Sequence, residues 1–274
     1  MVPDRRGHPG SHRPQTVGCT RVSEDDRRDS LVDLSRERSV RAILHATLEF
    51  YRAFPLLFLI LAAAVIVPYD LAVLAATGHG PFGLSHTGFV VSQLLNVLSF
   101  SLISPLISAL HVHAVVMIGE SRRPRLPEVA TVGLRVLPVV SAAEIVANIG
   151  ILLGTLALIL PGILLALRWS VVAQSAAVEH DGWLAALRRS RTLTAGHYGH
   201  IFGLGLVVGA LALGVRLAAI AISFGHTSSV PSVALGLVVD TILASFSALT
   251  LAILYFDLRA RETDLNASAG DAAS

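Results

Sequence analysis

Six apolar stretches run along this chain, at about residues 55–76, 89–118, 137–160, 163–178, 201–224 and 233–256, and of the connections between them only alternate ones carry arginine. A helix crosses the apolar layer of a bilayer with about 20 residues at about 1.5 Å rise each, and five of the stretches reach that length. The second is long enough to tilt or to extend beyond the layer, with Pro105 placed to kink it. The fourth is short, and length alone does not decide it.

Arginine placement does. Ten arginines precede the first stretch, and the connection at 77–88 has none. Arg122, Arg123, Arg125 and Arg135 follow the second stretch, and Arg188, Arg189 and Arg191 follow the fourth. The connection after the fifth has none, and Arg259 and Arg261 follow the sixth. Short loops rich in Arg stay on the cytoplasmic side. For 119–136 and 179–200 to share that side, the chain between them must cross an even number of times. Residues 137–178 therefore form a hairpin, expected to turn at Pro161-Gly162. The fold class predicted is an all-α membrane protein of about six transmembrane helices in three hairpins, in a bacterial inner (cytoplasmic) membrane, with the N- and C-termini cytoplasmic.

Composition agrees. The chain is 53% hydrophobic and 15% charged, against about 45–50% and about 25% in soluble domains. All 21 basic residues are arginine, and the net charge of +2 is too thinly spread for a nucleic-acid surface. Cys19 is the sole cysteine, so no disulfide forms within the chain. It follows Val17-Gly18, yet no apolar run precedes it, so neither lipidation nor a cleaved signal is expected. Residues 1–30 and 263–274 are poor in large apolar side chains and read as disordered cytoplasmic tails around a membrane domain at 31–262.

The stretch W-L-A-A-L-R-R-S-R-T-L-T-A-G-H-Y-G-H, Trp183 to His200, reads as an interfacial amphipathic helix. Trp183, Leu184 and Leu187 share one side, Arg188 and Arg189 point away, and Arg191 snorkels from near the apolar stripe. Gly196 suits a C-cap, and Tyr198 an interfacial anchor. A similar helix leads into the first span from Arg41 to Arg52, with Ile43, Leu44, Leu48 and Tyr51 at helical spacing, and a shorter one from Leu126 to Arg135 into the third. Two readings stand: three repeated units of interfacial helix plus hairpin, or simply arginines ahead of each odd-numbered span.

The segment L-P-G-I-L-L-A-L-R-W-S-V-V-A-Q-S-A-A-V-E-H-D-G-W-L-A-A-L-R-R-S-R-T-L-T-A-G-H-Y, Leu160 to Tyr198, and L-Y-F-D-L-R-A-R-E, Leu254 to Glu262, carry a further signal. Their Pro-Gly break, Arg/Trp-bearing span ending in Glu179, Ala-Leu-x-Arg-Ser-x-x-Leu-x-x-Gly run and closing Tyr-x-Asp-x-Arg-x-Arg resemble the membrane domain attached to some bacterial glycerophosphodiester phosphodiesterases. That domain also occurs in stand-alone membrane proteins. The resemblance covers residues 40–262, with its specific part in the second half. Ala173-Gln174-Ser175 departs from it, since the family often carries a proline before its Glu. The resemblance implies a membrane domain and no phosphodiesterase activity, because that chemistry belongs to a separate soluble barrel.

Ionisable groups inside spans each cost about 2.5–3.5 kcal/mol unless paired or solvated, so they are the candidate site residues. Asp70, Arg168, Arg216 and Asp240, from spans one, four, five and six, all count to roughly 8–12 Å below the outer surface. They read either as paired charges fixing helix register, with Arg216–Asp240 joining neighbours, or as a polar layer for a charged or lipid-like ligand. Glu144 is a secondary candidate, as a proton-relay carboxylate or as a partner of Asn148. Glu179, Arg188 and Arg191 would order the cytoplasmic loop.

His111 and His113 fall on different helix faces, and His197 with His200 makes a weak zinc pattern, so no metal and no cofactor are expected. No phosphate-binding loop, His-Glu-x-x-His helix or Gly-x-Ser-x-Gly elbow is present. Gly203 and Gly205 read as close helix packing. The expected function is non-enzymatic: binding, moving or organising a lipid-like or ionic partner through the intramembrane polar layer. Membrane lipids are the first partners, and nucleic acid is not one. The alternative is a structural or assembly subunit that docks a protein at the cytoplasmic face through the arginine-rich interfacial helices.

Overall fold

The computed structural model describes residues 38–78, 89–179, 181–223 and 229–273, and within them all side chains but those of 89, 90, 92 and 264–273. The expected N-terminal tail, Cys19 and most of the two arginine-free connections lie outside the described residues. What is described is helical, with six helical stretches long and apolar enough to cross a membrane: Pro55–Thr77, Gln93–Gly119, Leu126–Ala157, Ile159–Glu179, Tyr198–Ile222 and Val230–Thr263. The chain is an all-α, multi-pass membrane protein.

Helix α1, Val40–Ala53, opens on Ser39, whose side chain accepts from the Ala42 amide. Its inward face is Ile43, Ala46, Thr47 and Phe50; Leu48, expected there, is exposed. Phe54 breaks the helix because Pro55 follows, and Pro55 then starts α2, Pro55–Thr77, where a missing amide hydrogen does no harm. Gly78, at φ +71°, ends α2 in the left-handed conformation that glycine takes without strain. The second span is α3, Phe89–Leu98, then a π-helical turn, Ser99–Ile103, then α4, Ser104–Gly119. The interruption sits just ahead of Pro105, which has no amide hydrogen to give the preceding turn.

Helix α5, Leu126–Ala157, is continuous, so the separate interfacial helix expected at Leu126–Arg135 is instead the start of the third span. The turn that follows is at Leu158, whose backbone is extended, and not at Pro161-Gly162. Pro161 falls within the first turn of α6, Ile159–Arg168, where proline is tolerated. Gly162 serves proximity: a Cβ there would come within 2.7 Å of the Thr155 Cα. Gly150 and Gly154, one turn apart on α5, do the same, with Trp169 and Leu165 lying where their side chains would be. Small residues four apart let helices approach closely in a membrane. The expected packing glycines, Gly203 and Gly205, lie in open surroundings: the nearest atom to a Cβ at Gly203 is a Val40 methyl at 3.9 Å, and at Gly205 nothing falls within 4 Å.

The fourth span breaks at Trp169–Val171 and resumes as α7, Val172–Glu179. Then come α8, Trp183–Thr194, α9, Tyr198–Ile222, and α10, Val230–Ala273, which carries helix through the residues expected to be a tail. Gly196, at φ +82°, follows the end of α8 as expected. The core gathers at the end where the arginines lie. It joins Ile43 and Phe50 of α1, Phe58 of α2, Val112 and Val115 of α4, Val129 and Val136 of α5, Val172 to Ala177 of α7, Leu187 and Leu193 of α8, and Leu249 to Leu258 of α10. Toward the opposite end, Leu152, Leu156 and Leu160 of the α5–α6 hairpin and Leu206, Leu211 and Leu217 of α9 face outward, as lipid-facing side chains do.

Candidate functional site

Charged side chains gather in two groups, one at each end of the bundle. At the opposite end, the Arg216 guanidinium of α9 donates to the Asp240 carboxylate of α10, the neighbouring pair that the sequence suggested. The Asp240 side chain is 13% exposed and that of Arg216 51%. Asp70 of α2 lies within electrostatic reach of both, and its Oδ2 is buried without a hydrogen-bond partner among the described residues. The residue just before it, Tyr69, donates to the Leu95 carbonyl at 2.9 Å and ties α2 to α3. Two acids and one base thus share this level.

Arg168 does not join them. Its Nε donates to the Tyr198 hydroxyl at 3.3 Å, and Tyr198 is the first residue of α9. Eighteen residues, about 27 Å of helix, separate Tyr198 from Arg216. The expected depth took residue 163 as the outer boundary of this span, whereas the turn lies at Leu158, so Arg168 is ten residues, about 15 Å, beyond it. The break at Trp169–Val171 frees the Arg168 carbonyl from the helix ladder, and Ser190 and Thr194 of α8 donate to it at 2.9 and 3.2 Å. The expected four-member layer is therefore a three-member group, and Arg168 belongs with the arginine-rich end.

That end is a network. Arg189 of α8 donates to Glu179 at 2.8 Å and to Glu262 at 2.5 Å, and the Tyr255 hydroxyl donates to the same Glu179 oxygen at 2.8 Å. The bond to Glu262 is the largest influence holding the Arg189 guanidinium in its charged form, which is raised further above its already high range. Beside it, Asp257 is fully buried; it accepts from the Arg38 amide and from Arg261 Nε at 3.0 Å, with His200 Nε2 at 3.5 Å. Arg261 also donates to the Arg38 carbonyl at 2.7 Å. The segment leading into α1 meets α9 and α10 at Asp257, and α7, α8 and α10 meet at Glu179.

The sequence has Arg188 and Arg189 both pointing away from Trp183 and Leu184 and nominates Arg188 and Arg191; Arg189 is present only as the Arg of the Ala-Leu-x-Arg-Ser run, and its role was missed. The buried face of α8 is Ala186, Leu187, Ser190, Leu193 and Thr194, while Trp183 and Leu184 are exposed. Arg188 and Arg191 are exposed, with no partner among the described residues. Asp257, Tyr255 and Arg261 were visible only as letters in the closing Tyr-x-Asp-x-Arg-x-Arg run. Glu144 has no hydrogen bond to Asn148 and no ion pair among the described residues, and Asn148 is exposed. His111 is a core side chain, bonded to the Ile107 carbonyl and to Ser245 at 2.9 Å each and stacked on Phe58 at 5.6 Å.

Two cavities open at the arginine-rich end. One, of about 380 Å³, lies along α1 between Arg38 and Glu49. The other, of about 260 Å³, lies between α7 and α8 and includes Ser175, Asp181 and Arg188. Neither is lined by Asp70, Arg216 or Asp240. In comparisons with family models, with curated proteins and with solved structures, nothing matches this chain.

Proposed function

We propose that this is a non-enzymatic protein of a bacterial cytoplasmic membrane that binds or moves a positively charged partner at Asp70, Arg216 and Asp240. The observation that carries the reading is a charge imbalance. Arg216 neutralises Asp240, and Asp70, close to both, keeps a buried oxygen without a partner. Two carboxylates and one guanidinium leave one negative charge inside the apolar layer, which a proton, an alkali cation or an organic ammonium would balance. The half-exposed Arg216 leaves the group reachable from outside the bundle.

The deciding measurement is the thermal midpoint of the purified protein, titrated separately with protons, sodium, potassium and a tetraalkylammonium salt, beside Asp70→Asn. A midpoint that rises with one of these in the wild type and stays flat in Asp70→Asn supports the reading. Identical titrations of both proteins overturn it.

The same reading places the arginine-rich end in the cytoplasm. Reporters fused after Gly80, near Arg123 and after His226 should show the middle one in the cytoplasm and the outer two on the far side; one shared compartment sinks that orientation. It also keeps the kinship with the phosphodiesterase-associated membrane domain, for which Glu179, Arg189, Tyr255 and Asp257, conspicuous in the matching runs, supply the internal fastening.

The alternative, a subunit that docks another protein, draws on a different observation. Arg41, Arg52, Arg123, Arg125, Arg135, Arg188, Arg191 and Arg259 are exposed with no partner among the described residues, a basic rim suited to an acidic surface.

A further inference from the structure

The cavity between α7 and α8 has a charge pattern that neither the fastening network nor the Asp70 group uses. Its inner wall is Glu179 and Arg189, already satisfied by each other and by Tyr255 and Glu262. Three features are not satisfied. Ser175 lines the cavity fully buried, and its Oγ has no hydrogen-bond partner among the described residues. A buried hydroxyl left so is unfavourable, a deficit that a bound group would remove. Arg188 lines the cavity exposed, and so does Asp181, and neither has a partner among the described residues.

Beyond these three side chains, the start of α8 is also unsatisfied. Its N-cap is Gly182, which offers no side chain to the first-turn amides, and the first ladder bond is Ala186 N–H to the Gly182 carbonyl. The three amides before it are free of the helix ladder and carry the positive end of the helix dipole. Gly182 stands at φ +87°, with nothing within 4 Å of where a Cβ would be, so the approach to those amides is open.

An anion alone does not fit. The helix start, Arg188 and the Ser175 hydroxyl would seat a phosphate, but Asp181 at the rim would repel a second negative charge. The four ionisable side chains of the lining, Glu179, Asp181, Arg188 and Arg189, sum to zero formal charge. A neutral cavity with separated poles is complementary to a zwitterion.

We propose that this cavity binds a phosphate ester carrying a primary ammonium group, the chemistry of a phosphoethanolamine headgroup. The phosphate sits against Arg188 and the start of α8, and the ammonium against Asp181. Trp183 and Leu184, exposed beside the cavity, have the amphipathic character that settles at headgroup level, which makes a phospholipid in the adjoining leaflet the favoured source.

The test uses the full chain in detergent, probed by native mass spectrometry with phosphatidylethanolamine, phosphatidylglycerol and phosphatidylcholine, and by calorimetry with free phosphoethanolamine. Expected is one tightly held phosphatidylethanolamine, preferred at least tenfold over phosphatidylglycerol. Arg188→Ala and Asp181→Asn should each weaken it about tenfold, the equivalent of about 1.4 kcal/mol, since each removes one charge-assisted bond to the headgroup. Both residues are exposed, so folding is not at stake, and a thermal midpoint checks it. Competition by free phosphoethanolamine would assign the site to a soluble ester; retention of the lipid against it would assign the site to the leaflet. Equal binding of phosphatidylglycerol, or unchanged binding in Arg188→Ala, overturns the proposal. Asp70→Asn should leave all of these results unmoved, which separates this site from the cation group.

Discussion

The two ends of this bundle solve the same problem, charge in an apolar protein, in opposite ways. At the arginine-rich end, Asp257 and Glu179 are each held by more than one donor, and most of the buried core surrounds them. At the opposite end, Arg216 and Asp240 meet in a single pairing on thinly covered helices, with Asp70 left over. A buried charge with many partners fixes helices relative to one another. A charge with one partner, and a neighbour with none, is placed to respond to whatever arrives. The fastening is therefore concentrated at one end, and the group proposed to bind a cation lies at the other.

The largest expected effect lies at the fastened end. Asp257→Ala removes a fully buried carboxylate and leaves Arg261 and the Arg38 amide without it. Breaking a buried ion pair from one side costs about 3–5 kcal/mol. Thermal unfolding or limited proteolysis in nanodiscs should show the variant lost or strongly destabilised. A midpoint within a degree of the wild type would remove the distinction between the ends.

Smaller effects are expected at the other end. Arg216→Ala leaves Asp240 without its donor and should lower folded yield by the equivalent of about 1–3 kcal/mol. Adding Asp240→Ala should restore part of the loss, because the pair then disappears as a unit. Purely additive losses across the two single variants and the double would mean that the contact contributes no coupling.

The contrast explains what the sequence did and did not reveal. Span number and order were readable because apolar length and arginine placement act through the bilayer, independent of which helices touch. The hairpin at 137–178 followed from parity alone. Depth was not readable where the turn was misplaced: the hairpin turns at Leu158 and not at Pro161-Gly162, so Arg168 lies deeper than a count from residue 163 gives, and it meets Tyr198 instead of the Arg216 group. Facing was not readable where burial is carried by small and hydroxyl side chains. Ala186, Ser190 and Thr194 make the inner face of α8, and hydropathy gives them little weight beside Trp183 and Leu184. Arg189 was lost with that face. The pair Arg216–Asp240 survived because adjacent antiparallel spans bring those levels together with no break between.

The sharpest comparison uses one small change on two helices. Gly154→Ala on α5 puts a methyl 2.8 Å from a Leu165 methyl and 3.3 Å from the backbone of Gly162. The Leu165 methyl can swing aside, but the Gly162 backbone cannot without opening the hairpin, so overpacking should cost about 1–3 kcal/mol. Gly209→Ala on α9 meets nothing within 4 Å. There, alanine's better helix propensity should dominate and stabilise by roughly 0.5–1 kcal/mol. Opposite signs from the same substitution, read as thermal midpoints in the same nanodisc, would establish that close packing lies in the α5–α6 hairpin and that α9 faces lipid. A destabilising Gly209→Ala would mean instead that α9 is covered in the membrane, by a second copy of this chain or by a partner. The exposed side of Arg216, two turns further along the same helix, would then be part of an interface instead of an opening.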